Sequence, residues 1–484
     1  MGIRKMFILM MVVLLVVALA GCGGTNDPNN NDDSEALTTD VLVIGGGAAG
    51  LAAAIEAVEA GASVILLEKL PALGGSTVIS GGIMYAAESP VQERAGVEEN
   101  WQDLAAYWIE MAEGDVDEDL INYIAENSGE TIAWLEGLGV EFSENLSAQG
   151  ISPALRGHVS AANGGLGLIG PTGDVASEKG VEIMLNTAAT SLIIDEDGRV
   201  TGAEAEGENG ELFTITAGSV VLATGGFDKS VEMLEEYAPV AAGHISYVSP
   251  GNVGDGLRMA VEAGADVVAK NGVIGFRGVA ADYPYSRPLG GLVFMPSLYV
   301  DEDGNRFMNE ANHYAIMYEK MVETGGDDFY SIFDKNSPVV GTLEDSLDTG
   351  YVSKADSFED LAEAIGVPVD AFMATVDRFN ELAAAGNDED FGNAAIAPLE
   401  DGEVYALSVS PATLGTFGGP RINLAGEVLN TAGEAIQGLY AVGEVANGQL
   451  YKTIYPASGT SITMSFTLGR VTGAEAAAAA ASLQ

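Results

Sequence analysis

Apolar and polar positions follow two rhythms along the chain, and the switch between them marks most of its elements. Val41–Ile44 and Val64–Leu67 are short unbroken apolar runs, as a strand buried on both faces requires. Between them Leu51–Ala60 is an Ala-rich stretch that reads as a helix, with Gly61 as its stop. GSVVLATGGF (Gly218–Phe227) and GLYAVGEVANG (Gly438–Gly448) repeat the buried-strand pattern, and Ser458–Gly473 reads as a loop running into a helix with a Ser/Thr-rich start. Strands alternating with helices in this way predict an α/β fold built on a parallel sheet. The middle of the chain differs. LVFMPSLYVDEDG is extended, with short strands around Leu292–Val300, and SFEDLAEAIGV and VDAFMATVDRFNELAAAG have helical periodicity, so a second lobe of mixed α+β character is expected there.

The N-terminus follows a third pattern. Arg4 and Lys5 precede an uncharged apolar run, Met6–Ala20, which leads into Leu19-Ala20-Gly21-Cys22. Fifteen apolar residues fall short of a bilayer core about 30 Å thick but suit a signal-peptide core. The segment resembles a bacterial lipoprotein signal, which implies removal of residues 1–21, lipidation of Cys22 and anchoring to the extracytoplasmic side of the cell membrane. A plain secretory signal or a short anchor is the other reading. Residues 22–37 are rich in Asn, Asp, Gly and Thr without apolar periodicity, and are expected to be a flexible tether.

Composition narrows the class. The 484 residues, 47% hydrophobic and 19% charged, can bury a large core, and 63 glycines point to many tight turns and close approaches of backbone to a ligand. A net charge of −51 repels nucleic acid and anionic lipid surfaces, which removes both as partners; it suits a solvated exterior, or a field that steers a basic redox partner. Cys22 is the one cysteine of the chain. Disulfides, cysteine-ligated iron–sulfur clusters and covalent haem are thereby excluded.

The chemistry begins in DVLVIGGGAAGLAAAIEAVEAGASVILLEK, Asp40–Lys69. Gly45-x-Gly47-x-x-Gly50 sits between a strand and a helix, within a βαβ unit whose second strand ends at Glu68 and Lys69. Gly45 would allow the turn, Gly47 the approach of a pyrophosphate, and Gly50 close helix–strand packing; Ala48 and Ala49 begin the helix whose N-terminus faces the phosphates, and Glu68 would hold a ribose. Three further segments favour FAD over NAD. Leu73–Gly82 offers Gly74, Gly75, Ser76, Thr77, Ser80, Gly81 and Gly82 where a flavin's ribityl chain and ring need small residues and hydroxyls. Ala223, Thr224 and Gly225 end the mid-chain strand. Gly443 and Glu444 end the C-terminal one, ahead of Ser461 and Ile462 at a helix start whose N–H groups could stabilise a reduced flavin.

These residues resemble the FAD-dependent oxidoreductase family of fumarate reductase and succinate dehydrogenase flavoproteins, urocanate reductase-like enzymes and 3-ketosteroid Δ1-dehydrogenases. The resemblance implies a Rossmann-like FAD-binding domain, 38–270 and 412–484, interrupted by a cap domain, 271–411. It also implies noncovalent FAD, because no histidine stands near the GGST loop. Where the dicarboxylate reductases have a proton-donating arginine seven residues after the Phe of their GKRFVNE-like segment, GNRFMNEANHY places Tyr314. Their His-Thr-Met-Gly-Gly segment corresponds to Gly415–Gly419, which has no histidine, and their Asn-Arg-Leu-Gly-Gly segment to TIYPASGTSI, which has no arginine. A small dianion such as fumarate is therefore not expected as substrate. The motifs match the ketosteroid dehydrogenase branch better, through Tyr314, GTFGGPR (Gly415–Arg421) and YPASGT (Tyr455–Thr460). Carried over, Tyr314 transfers the proton, while Tyr455 O–H and Gly459 N–H polarise a carbonyl oxygen.

Each of these residues also has an ordinary reading. Tyr314 and Tyr455 can be core or turn aromatics, His313 structural, Arg306 part of a turn and an ion pair. Arg277, Arg287 and Arg421 are candidates for a substrate carboxylate, and Tyr283 and Tyr285 for the pocket wall. The expectation is an FAD enzyme that reduces a C=C bond conjugated to a carbonyl in an enone- or ketone-type small molecule, with an external electron donor or acceptor in the membrane chain. Desaturation of a steroid-like ketone is the first alternative; a flavin electron carrier or binding lipoprotein without substrate chemistry is the second.

Overall fold

The computed structural model describes residues 37–281, 283–284 and 287–483; the segment expected to be a signal peptide, Cys22, residues 22–36 of the expected tether and Tyr285 lie outside the described residues. The apolar run at Val41 belongs to a longer strand, Leu37–Ile44, which lies between Val64–Leu67 and Leu212–Leu222, both parallel to it. These belong to an eight-stranded sheet. On one side of them it continues to Glu182–Met184; on the other it continues through Ala435–Ala441 to Glu427–Leu429. Val41, Leu42 and Val43 are fully buried, which explains their uninterrupted hydrophobicity.

The helix Ala48–Glu59 packs against the C-terminal helix Thr460–Ala481. Their Ala/Gly composition has a direct cause: a Cβ on Gly473 would lie 2.1 Å from the carbonyl oxygen of Ala53, so only glycine permits this approach.

A second, six-stranded sheet carries the middle of the chain. Val267–Gly278 and Val404–Pro420 run antiparallel, and the latter also pairs with Phe329–Asp334, Val352–Ala355 and Ile245–Ser246. The boundaries drawn from the sequence at 270/271 and 411/412 fall inside the two long strands, which pass unbroken from one sheet's surroundings into the lobe. Helices Phe358–Ile365 and Val369–Ala385 cover it, burying Phe358, Leu361, Phe372, Val376 and Phe379 against Leu298, Ile332 and Val404. One expectation is corrected here. Of the extended stretch around Leu292–Val300, only Leu298–Asp301 is a strand; Pro288–Leu292 is a short helix, started by a proline whose fixed φ and missing N–H suit a first helical position.

Candidate active site

The nucleotide cradle is built by close backbone contacts. Gly45 has φ +113°, and a Cβ there would sit 2.2 Å from Ala223 O; a Cβ on Gly50 would sit 1.9 Å from Gly45 O. Gly47 is different: the nearest atom to its missing Cβ, Gly74 O, is 3.9 Å away, so its surface opens onto a cavity of about 470 Å³. Ala48 and Ala49 line that cavity at the helix N-terminus. Glu68 is fixed beneath the turn, Oε2 accepting Gly46 N–H at 2.9 Å and Oε1 accepting Leu70 N–H at 2.8 Å. Lys69 is paired with Asp255 at 2.6 Å.

Of the other expected cofactor residues, Gly75, Ser76, Thr77, Ser80, Gly81, Ala223, Thr224, Gly225, Glu444, Ser461 and Ile462 line the same cavity. Gly50, Gly74, Gly82 and Gly443 do not. They stand behind the wall, where their small size lets segments meet: Gly74 against Val78, Gly82 against Gly164, Gly443 against Ala49. The helix start is also less free than expected, since Thr460 N–H bonds Ala457 O and Ser461 N–H bonds the Tyr455 phenol.

These residues fit FAD on the structure's own terms. Gly47 and Gly75 leave an open floor where any side chain would intrude, and Thr224 has a buried hydroxyl without a partner at the cavity. Gly47, Ala48 and Ala49 would hold the pyrophosphate, Glu68 the ribose, and Ser76, Thr77 and Ser80 the ribityl chain.

The phenols lie on the wall of the same cavity. Tyr314 is the first residue of the helix Tyr314–Thr324, its ring edge-on to Phe276 with centroids 5.5 Å apart and 4.0 Å from the ring of His313. Its hydroxyl accepts a hydrogen bond from Ser458 Oγ at 3.1 Å. Tyr455 is 4% exposed; its oxygen accepts Ser461 N–H at 2.9 Å, which leaves its O–H to donate elsewhere. Burial pushes both phenols above their ordinary pKa, and proximity to Tyr455 pushes Tyr314 further. Gly459, at φ +98°, brings backbone to within reach of Ile83, where a Cβ would meet its carbonyl oxygen at 2.8 Å. Ile274, Phe276, Phe294 and Leu414 make this end of the cavity apolar.

The candidate cations and Tyr283 fall elsewhere. Arg277 donates to Tyr299 Oη and to Val293 O, on the other face of its strand from Phe276; Arg421 pairs with Asp266 at 2.7 Å; Arg306 forks two carboxylates; Arg287 lies over the ring of Tyr283. Tyr283 packs on Tyr351 and is not part of the cavity wall. Burial depresses the pKa of His313 to about 4, so it is neutral near pH 7. Sequence reading passed over Ser458, although it stands inside YPASGT, and Asn252, which joins Ser76 to Glu444 from the turn-rich GNVGDG.

The chain belongs to the FAD binding domain family, whose family model matches residues 40–462. It is 31% identical over 453 residues to the urocanate reductase of Eggerthella lenta, covering 89% of this chain and 73% of that protein. It is 29% identical to the NADH:fumarate oxidoreductase of Klebsiella pneumoniae, covering 82% of this chain but only 43% of that relative. Among solved structures, the open conformation of a flavocytochrome c3 fumarate reductase superposes with a TM-score of 0.79 at 30% identity, over 92% of this chain and 79% of that one. The 3-ketosteroid Δ1-dehydrogenase of Sterolibacterium denitrificans shares the fold, with a TM-score of 0.81 at 21% identity over 91% and 99% of the two chains.

Proposed function

We propose that this chain is an FAD-dependent oxidoreductase acting on CH–CH groups that reduces a C=C bond conjugated to a carbonyl. Bound FAD supplies the hydride exchanged with the substrate's β carbon. Tyr314 delivers a proton to the α carbon, and Tyr455 O–H and Gly459 N–H bind the activating oxygen, a contribution of roughly 3–4 kcal/mol for the better placed donor. The apolar end of the cavity orients the substrate skeleton and excludes water.

The observation that carries this direction is the place of Tyr314, half-buried in the apolar wall of the cavity beside Tyr455. Burial and the neighbouring Tyr455 keep its phenol protonated at neutral pH, which suits a donor and works against a base. Desaturation of a saturated ketone needs that base; the YPASGT and GTFGGPR motifs and the likeness to a 3-oxosteroid 1-dehydrogenase support it as the second reading. The relatives' names agree with a reductase: urocanate, fumarate and vinyl phenol reductases among them. The lipoprotein-like N-terminus supports a reading in which the enzyme lies outside the cytoplasm, anchored through Cys22, and receives electrons from an external carrier.

The test is anaerobic. Dithionite-reduced protein is mixed with enones, aryl acrylates and ketosteroids, and flavin reoxidation is followed. Reoxidation by one of them supports the reductase; bleaching of oxidised protein by a saturated ketone instead establishes the reverse reaction; silence toward both sets overturns the enzymatic reading. Tyr314→Phe is expected to slow the chemical step by at least a hundredfold with FAD retained.

A further inference from the structure

In the wall of the same cavity and just behind it, two carboxylates are enclosed together with no cation between them among the described residues. Glu444 borders the cavity with one edge; its Oε1 accepts Thr416 N–H at 3.0 Å and its Oε2 accepts Asn252 Nδ2 at 3.2 Å. Asp228 is 4% exposed and lies behind it; its Oδ1 accepts Thr413 Oγ at 2.8 Å, and its Oδ2 is buried without a partner. One stretch of the long strand, Thr413–Thr416, thus serves both acids.

Arg306 has two carboxylates and Arg156 has Glu99, while neither Asp228 nor Glu444 has an ion-pair partner among the described residues. Two ionised carboxylates cannot share such a site at ordinary cost, so the pair keeps a proton. Enclosure first, then each other's charge, raise the affinity of Glu444 for it, and enclosure does the same for Asp228.

We infer that Asp228 and Glu444 form a redox-linked proton site: they share one proton while the cofactor is oxidised and take up a second when it is reduced. Two electrons from an external donor and one proton enter the cofactor, leaving it one unit more negative at the cavity that Glu444 borders. A second proton, from solvent, neutralises the remaining carboxylate. No bond other than these to hydrogen forms or breaks.

The other charged and titratable groups facing the pair do not replace it. Lys229 follows Asp228 but turns outward to Ser246 O. Tyr318, with His244 on its hydroxyl at 3.0 Å, lies on the Asp228 side, and Tyr451 and Tyr455 on the Glu444 side; burial holds all three phenols protonated. Burial lowers the pKa of His244 and favours its neutral form.

The proposal rests on FAD occupying the cavity, but not on the direction or substrate of the reaction, so it is tested without substrate. The midpoint potential of the FAD-loaded protein is measured against pH between 6 and 8, with dithionite as reductant. The slope is expected to approach two protons per two electrons in the wild type and to fall to one in Glu444→Gln and in Asp228→Asn. Asp228→Asn does not touch the cavity, so it retains the cofactor even if Glu444→Gln releases it. A wild-type slope of one proton throughout, or an Asp228→Asn slope equal to the wild type, overturns the inference.

Discussion

Arg306→Met isolates the energetics of the segment that delivers Tyr314. Arg306 donates through Nε and Nη2 to both oxygens of Glu310, each at 2.7 Å, and through Nη1 and Nη2 to Asp388 at 3.1 and 2.7 Å. It lies between the rings of Phe379 and Phe391, 5.0 and 4.9 Å from their centroids. The three side chains are 6%, 2% and 0% exposed, so the network is not screened by water. Methionine preserves much of the packing between the rings but leaves two enclosed carboxylates without their cation, and such a deletion costs about 3–5 kcal/mol. Urea unfolding and limited proteolysis at pH 7 measure that loss. The orphaned acids then have raised folded-state pKa values, so their destabilisation is greatest at neutral pH and shrinks as pH falls toward 5 and they take up protons. Combining Arg306→Met with Glu310→Gln and Asp388→Asn should restore most of the stability. A loss below about 1 kcal/mol at pH 7, or a penalty that does not change with pH, would refute the argument that charge pairing holds this loop.

Gly47→Ala and Gly50→Ala should separate binding from folding. The first places a methyl in open cavity, so the apo protein should melt as the wild type does while FAD affinity falls at least tenfold; the second drives a methyl into Gly45 O and should lower the melting temperature as well. His158 donates from Nδ1 to Arg156 O at 2.8 Å and accepts from Ser89 O–H at 2.6 Å, and burial depresses its pKa to about 4. Its folded value lies below its unfolded one, so the unfolded chain binds the proton first, and stability should decline by roughly 3 kcal/mol as pH falls from 6.5 to 4. Replacing His158 with Gln should flatten that part of the stability–pH curve, whatever it does to absolute stability. Ser458→Ala removes a hydroxyl that donates to Tyr314; with a compound that reoxidises the reduced protein, it should slow turnover ten- to a hundredfold and add nothing further in a Tyr314→Phe background.

The parts legible in the sequence are those where one local rule decides. The βαβ unit could be read because burial on both faces demands uninterrupted Val/Ile/Leu runs, and because Gly45 and Gly50 admit no side chain against Ala223 and Gly45. Tyr314 and Tyr455 were found through motif resemblance, and the fold brings them to one cavity although 140 residues separate them, as the interval between their numbers shows. What was missed depends on pairing between distant segments. Arg277 follows Phe276 directly, yet strand alternation turns one toward the cavity and the other into the lobe, and no spacing shows which is which until the strand's partner is known. Asp228 adjoins a recognised glycine turn and carries no motif of its own. Its role emerges only when Val404–Pro420 closes over it and brings Thr413 to one carboxylate and Thr416 to the other. A single acid beside a flavin site would be solvated or paired; it is the second acid, brought in from 216 positions further along the chain, that makes a proton the cheapest counterion available.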